Sequence, residues 1–533
     1  MSKLNRREFL LTSAATAYAR GESGKPRVGM VQSTHGKLIK PASLEDPLDY
    51  EKVRDMVWKA IEYGKARAGS LEKKIKPGSW VVIKPNIVFL RPQPSYRTGD
   101  VTDLRVTRAV LEYVAQKSKA RRITIAEGGS YRNLQDPQKD NRVTQNGSHA
   151  SAPEFDWGAD EFPGTGGSYG ALLKEFAQQF PGKQFDFVDL SYDAIKDSSG
   201  KPMRIPVAKT AKGVGAFSER PDYFYSKTVK DCDFLIAVPV AKIHAQCGIT
   251  ACFKSYVGVA PREAYARPGI FWNASLHQEH SVDNRIDTFI SDLSSFHPPD
   301  YNVVDFIRGL QYSEHNTNQP DQMIKSNMVL ASEDTVATDA LVAHLMGFNP
   351  RDIDYLHMGQ ARDLGTLDLD QVNVVGDDPS TARKRWGKPR NWYGRGNREW
   401  RVAKNPSGAP ETWARYTSPS DALNFAKWSQ GETATGMTYA AATKVRADGN
   451  KKAYLWVGLR GKVTATLNGE TVMQEENYTR YRVGQFQKPI ELKPGENTLV
   501  FKVEALNNQA VLSALMVGQR NDGDTLDGIR WLA

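Results

Sequence analysis

Several side chains in the 533-residue sequence are of the types that anion binding, proton transfer or metal ligation requires. Lys84 and Asn86 flank Pro85, Glu127 stands before Gly128-Gly129, and Lys242 and His244 are one residue apart, with Lys254 downstream and Asp305 and Asp339 further on. Lysine amines hold anions, and an imidazole or a carboxylate moves protons near neutral pH. Lys84, Lys242 and Lys254 therefore point to an anionic small molecule, with His244 or Glu127 as general acid or base. Alternatively, His244 supplies nitrogen and Glu127, Asp305 and Asp339 supply oxygen to a divalent metal. A plainer reading makes Asp339 a buried partner of a basic residue and Asp305 an acceptor for neighbouring backbone amides. His277-Gln278-Glu279-His280 is a second metal candidate at helical spacing, without a third ligand.

These residues act together only if the chain gathers them. From Pro26 to about Asp378, β-branched runs alternate with helical periodicity, the pattern of an α/β domain with a mainly parallel sheet covered by helices. The strands expected are Arg27 to Val31, Trp80 to Ile87, Ile123 to Glu127, Phe185 to Leu190, Phe234 to Val240, Tyr301 to Ile307, Met328 to Ala331 and Val372 to Gly376. The helices expected are Tyr50 to Ala66, Asp103 to Lys117, Gly170 to Gln179, Ile286 to Phe296, Asp334 to Met346 and Asp352 to Leu364, with Asp103 and Asp334 as N-caps. In open α/β sheets ligands bind beyond the carboxyl ends of the strands. Lys84, Asn86, Glu127, Lys242, His244 and Asp305 all fall at such ends, so one shared cleft is expected. Tyr131 to Ser168, including Gly164-Thr165-Gly166-Gly167, has no period and reads as a long loop.

Seven pieces in order resemble the family called domain of unknown function 362, over most of residues 25–380. They are Val82-Ile83-Lys84-Pro85-Asn86, Thr102-Asp103 with Arg108-Ala109-Val110, Ala126-Glu127-Gly128-Gly129, Ala241-Lys242-Ile243-His244 with Thr250 and Lys254, Asp292-Leu293, Val304-Asp305, and Ser332-Glu333-Asp334-Thr335-Val336-Ala337-Thr338-Asp339-Ala340. The family usually has Lys-Asn before its Gly, whereas this chain reads Lys254-Ser255-Tyr256-Val257-Gly258. The resemblance implies a fold and a site without a reaction. Taken with the strand-end argument, it assigns catalysis to Lys84, Glu127, Lys242 and His244 and substrate binding to Asn86, Thr250 and Lys254.

Between Arg383 and Lys404 nine basic residues stand against Glu399 alone, with Trp386, Trp392, Tyr393 and Trp400 interleaved, so this stretch supplies most of the formal net charge of +10. It reads as a linker, residues 381–410, whose tryptophans pin it to a domain surface. Contact with an acidic polymer or headgroup is the alternative, and nucleic acid is not expected. After Pro410 come short strands, Thr438 to Val445, Lys452 to Leu459, Lys462 to Leu467, Arg480 to Phe486, Pro489 to Leu492 and Thr498 to Glu504, divided by Asp448-Gly449, Asn468-Gly469 and Pro494-Gly495. That spacing predicts an all-β, jelly-roll-like sandwich over 411–533. Ala465-Thr466-Leu467-Asn468-Gly469-Glu470, with Leu492-Lys493-Pro494-Gly495-Glu496-Asn497-Thr498, resembles the galactose-binding-like sandwiches of secreted hydrolases. This implies a support, or a module that holds a glycan or partner.

A chain of this length exceeds one core, and 40% apolar with 25% charged residues describes globular domains. No stretch reaches the roughly 18 apolar residues that would span a bilayer. Cys232, Cys247 and Cys252 cluster, an odd number that permits at most one bridge, with core packing the simplest expectation. Asn5-Arg6-Arg7-Glu8-Phe9-Leu10-Leu11, then Ala17-Tyr18-Ala19, resembles a twin-arginine signal within residues 1–24, cleaved after Ala19. Its implied partner is the twin-arginine translocase, and its implied destination the periplasm or medium. Two functions remain open: an exported enzyme acting at the strand ends, or a binding protein that uses the sandwich and the basic segment.

Overall fold

The computed structural model describes residues 24–33, 49–87, 99–128, 169–218, 220–265, 286–315, 319–389, 396–418, 421–431, 433–479, 481–518, 526 and 528–532. The export signal, the 131–168 loop, the His277 to His280 pair, and Trp392 with Tyr393 lie outside the described residues. Two compact units divide the chain, the first covering most of the sequence up to Arg390 and the second running from Asn391 to the end.

In the first unit an eight-stranded sheet runs in the order Asn373–Gly376, Arg27–Gln32, Met323–Ser332, Tyr301–Leu310, Phe234–Val238, Trp80–Pro85, Arg122–Glu127, Gln184–Asp189. Every expected strand is present, and all six expected helices form. The central strands are apolar without alternation, as in Val81, Val82 and Ile83, because helices cover both faces and no side of the sheet meets water. Asp49 and Asp103 cap the helices Tyr50–Tyr63 and Leu104–Lys117 by accepting backbone N–H bonds, and Asp334 caps Thr335–Leu345 through the Ala337 amide.

The sheet is mixed. Five of its seven pairings are parallel, but Met323–Ser332 runs antiparallel to both neighbours. Strand Tyr301–Leu310 extends beyond Ile307 and its partner begins before Met328, so the connection between them carries no crossover helix and the chain must turn back.

The second unit is antiparallel. Its spine is the 17-residue strand Lys451–Leu467, read above as two shorter strands. Tyr454 to Arg460 pair with Val511–Val517, while Lys462 to Leu467 pair with Gly495–Glu504. Gly461, at φ 135°, stands between these two stretches and lets one strand serve both halves of a curled sheet. Between the halves lie Trp400, Tyr439, Leu455, Val457, Val463 and Phe501. Asn468 and Gly469, at φ 53° and 88°, form the two-residue hairpin that their identities predict. The expected strand Arg480 to Phe486 does not form over residues 481–485, and the expected strand Pro489 to Leu492 begins earlier, at Phe486.

The stretch 381–410 is not one linker. Trp386 is buried against Phe306 in the first unit, whereas Glu399–Lys404 is a strand of the second unit with Trp400 in its core. Alternation of Trp400 and Val402 with charged residues was the strand signal in that run. Among the described residues no helix is long and apolar enough to cross a membrane.

Candidate functional site

Strand Trp80–Pro85 delivers Lys84 and then Asn86, whose backbone is fixed by Thr102: the Thr102 hydroxyl accepts the Asn86 N–H at 2.8 Å and donates to the Val238 carbonyl at 2.6 Å. Strand Arg122–Glu127 ends on Glu127. Beyond strand Phe234–Val238 the chain forms a short hairpin, Lys242–His244 with Gly248–Thr250, which sets Lys242 opposite Thr250. A 3₁₀ segment, Phe253–Val259, follows with Lys254, Ser255 and Gly258. These elements enclose a cavity of about 140 Å³ lined by Asn86, Glu127, Lys242, His244, Thr250 and Lys254. Residues not singled out in the sequence complete the wall: Gln246, Ser255, Gly258, Arg262, Glu314 and His315.

Lys84, Asp305 and Asp339 do not line it. The Lys84 amine, 2% exposed, donates to Glu127 Oε2 at 2.8 Å and so holds that carboxylate from behind. Burial lowers the Lys84 amine from its usual range, and the Glu127 charge restores only part of that. Glu127 also accepts the amides of Ile87 and Gly128, at 3.2 and 2.8 Å. Asp305 accepts the amides of Asp103 and Ile307. Asp339 accepts those of Cys252 and Phe253, at 2.8 and 3.1 Å, and thereby fixes the start of the segment carrying Lys254. Both carboxyls are driven upward by burial, to about 7 for Asp305 and about 6 for Asp339. His244, Asp305 and Asp339 therefore do not assemble as a metal centre, and among the described residues no group of three or more His, Cys, Asp or Glu does. The three cysteines are free and buried.

Within the cavity the polar groups divide into two classes. Lys242 is spent: its amine donates to the Asp100 carboxylate at 2.8 Å and to the carbonyls of Asp100 and Glu314. Arg262 donates to the carbonyls of Ala260 and Val257. His244 Nδ1 accepts the Gln246 amide at 3.1 Å, which assigns the proton of the neutral ring to Nε2, 3.8 Å from Glu314 Oε1. Burial would raise Glu314, but His244, the Ala245 amide and His315 overcome it and hold the carboxyl well below the usual range. The other class has no partner among the described residues. Asn86 Oδ1, Gln246 Oε1, Thr250 Oγ1 and Ser255 Oγ are buried there without a hydrogen bond. The Lys254 amine has neither hydrogen bond nor ion pair among the described residues. Burial, then the charges of Lys242 and Arg262 against those of Cys247 and Glu314, bring it down to about 8.

Residues 199–344 match the family described as Domain of unknown function (DUF362). The match supports that family and contains Lys242, His244, Thr250, Lys254, Arg262 and Glu314, while Asn86, Asp100 and Glu127 come from outside it. No curated protein matches the chain. Among solved structures, the lactate racemase apoprotein from Thermoanaerobacterium thermosaccharolyticum aligns at 14% identity and TM-score 0.24, over 58% of this chain and 54% of that one. A family 35 carbohydrate binding module from an environmental isolate aligns at 17% identity and TM-score 0.15, over 19% of this chain and 75% of the module. A β-glucosidase from Kluyveromyces marxianus in complex with glucose aligns at 9% and 0.18, over 23% of this chain and 16% of the glucosidase.

Gly258 covers the Lys84 and Glu127 pair. A Cβ there would lie 1.8 Å from Glu127 Oε1 and 2.8 Å from the Lys84 amine, so the backbone closes over the buried ion pair only because residue 258 has no side chain. Asp100, Glu314 and His315 follow no periodic pattern. Their one signal is position, since Glu314 and His315 lie just past the end of strand Tyr301–Leu310.

Proposed function

We propose that the cavity binds a small organic anion and is the active centre of an enzyme, with His244 Nε2–H, faced by the Glu314 carboxylate, as a hydrogen-bond donor to the bound molecule. The observation that carries this reading is the set of four orphaned polar atoms and one unpartnered amine on a single wall. Buried polar groups are normally satisfied, and each one left without a partner costs on the order of 1–3 kcal/mol, so their convergence marks the place where a ligand supplies the partners. Lys254 sets the sign of that ligand. Lys84 and Lys242, expected above to bind it, are neutralised by Glu127 and Asp100 and shape the wall instead. At about 140 Å³ the site is below the 300–1,000 Å³ of drug-sized pockets, which favours a molecule of few heavy atoms.

Calorimetric melting of the full chain with oxalate, glyoxylate or phosphate tests this. At least one anion should raise the transition, and Lys254→Met should abolish the rise. No shift with any of them, or a shift unchanged in Lys254→Met, refutes the reading.

We infer export by the twin-arginine route from the Arg6-Arg7 signal, with the mature chain starting after Ala19. N-terminal sequencing of the exported protein checks it. The second unit is read as a galactose-binding-like sandwich that docks the enzyme to a glycan or partner, supported by the Asn468 and Asn497 motif. Failure of the full chain to sediment with any insoluble polysaccharide in a broad panel would remove the glycan.

A further inference from the structure

The cavity wall treats its lysines unequally. Lys84 receives Glu127 and Lys242 receives Asp100, each at 2.8 Å. Lys254, on the same wall as Lys242, receives no carboxylate among the described residues. An anion-binding site gains nothing from making one amine easier to deprotonate, but a nucleophile does, because only the free base has the lone pair that attacks a carbonyl carbon. Resting on the reading that the cavity takes a small organic anion, we propose that Lys254 is its covalent catalyst, condensing with the carbonyl group of a small oxo acid to form a Schiff base.

The surroundings fit that chemistry. Burial and the neighbouring cations Lys242 and Arg262 oppose protonation, and the amine sits at about 8. About one molecule in ten then carries the free base at neutral pH, against about one in three thousand for an unperturbed lysine. Asp339 holds the two amides that begin the Phe253–Val259 segment, so the lysine projects from a fixed backbone. The unpartnered Thr250 and Ser255 hydroxyls are available to the substrate oxygen. His244 Nε2–H, facing Glu314 at 3.8 Å, is the wall's hydrogen-bond donor to that oxygen.

The step balances without an external reagent. The Lys254 Nζ lone pair adds to the carbonyl carbon and the C=O π pair moves to oxygen, which takes one Nζ proton by way of solvent while His244 Nε2–H donates a hydrogen bond to it. The C–O bond then breaks, the second Nζ proton leaves with that oxygen as water, and C=N forms. Amine and carbonyl become imine and water, with no change of oxidation state. Protonated, the imine draws electrons from the adjacent bond more strongly than the ketone or aldehyde did, which is the catalytic gain.

Trapping with cyanoborohydride tests the proposal in the full chain near neutral pH, with glyoxylate as the smallest carbonyl bearing a carboxylate and formaldehyde as an uncharged reference. Peptide mass mapping should find Lys254 reduced onto glyoxylate about tenfold faster than surface lysines, a gain reduced from the free-base ratio by the weaker nucleophilicity of a less basic amine. Oxalate should slow it, and Lys254→Arg should remove the fast label at an unchanged melting temperature. If both reagents label Lys254 no faster than surface lysines while oxalate still stabilises the protein through Lys254, the covalent proposal falls and anion binding stands. Fast labelling by formaldehyde alone, untouched by oxalate, leaves a reactive amine and overturns the anion site, and with it the oxo-acid assignment.

Discussion

Lys84→Met is the sharpest probe of how the cavity wall is built. Lys84 and Glu127 are 2% and 3% exposed and 2.8 Å apart, so the substitution strands a desolvated carboxylate. Breaking such a pair costs about 3–5 kcal/mol. Glu127 keeps the Ile87 and Gly128 amides, both of which favour its charged form, so the lower end, about 3 kcal/mol, is expected. Adding Glu127→Gln removes the stranded charge and should restore about 1–2 kcal/mol, because an unpaired neutral amide is cheaper to bury than an ion. Glu127→Gln alone removes the charge that holds Lys84 up, so its amine falls further below the usual value in the folded state. A folded-state lysine with a depressed value binds fewer protons than the unfolded one, so the stability of that variant should rise with pH up to the ordinary lysine range. Hydrogen exchange of peptides covering strands Trp80–Pro85 and Arg122–Glu127 reads these local free energies. A loss below about 1 kcal/mol in Lys84→Met, or a double variant no more stable than the single, would show that the pair is not a buried ion pair.

Asp305 gives a pH signature of opposite sign. Burial first, then the Asp103 carboxylate, raise it to about 7, so the folded state keeps a proton that the unfolded chain has released above about 4, and stability falls as pH rises between these values. Asp305→Asn should flatten that fall by about 2–4 kcal/mol in urea melts taken at pH 5 and pH 8, by the linkage of proton binding to folding; an unchanged slope refutes the assignment. Thr250→Val replaces an orphaned hydroxyl with an isosteric methyl, so it should leave the unliganded chain equal in stability or about 1 kcal/mol more stable while weakening the oxalate-induced shift. Destabilisation above about 1 kcal/mol would reveal a hydroxyl already satisfied by protein. In the second unit Asn497 accepts from the Lys493 amide and from Asn468, and donates to the Lys493 and Gly495 carbonyls. Asn497→Ala should therefore cost about 2–3 kcal/mol in urea unfolding, and a neutral result would make that network ornamental.

Much of the fold was legible because its signals are local. Apolar runs such as Val81-Val82-Ile83 mark strands covered on both faces, and Asp103 and Asp334 announce helices by capping them. The direction of Met323–Ser332 was not legible. Strand ends set at Ile307 and Met328 left room for a crossover helix, whereas the strands run on through the less apolar residues to Leu310 and from Met323. Likewise the charges around Trp400 and Val402 looked like a solvated linker, although alternation hides an apolar face inside a basic run.

The site was legible in position but not in chemistry, and the reason is the distance in sequence between a charge and its counter-charge. Strand-end logic placed Asn86, Glu127, Lys242 and His244 on one wall, where they meet Thr250 and Lys254, but it also placed Lys84 and Asp305 there, and neither lines the cavity. It could not rank the three lysines, since nothing local distinguishes them. Lys84 is neutralised from 43 residues away and Lys242 from 142. Those two partners set Lys254 apart, as the one of the three amines without a partner among the described residues. Gly258 belongs to the same logic. Its missing side chain lets Glu127 stay against Lys84, so Gly258→Ala should push that carboxylate toward the cavity that Lys254 also lines. The charge arriving nearer to Lys254 should raise its affinity for a proton, slow trapping by glyoxylate near neutral pH and move the rise of labelling to higher pH, and an unchanged pH profile would show that the fast-labelled amine is not the one lining this cavity.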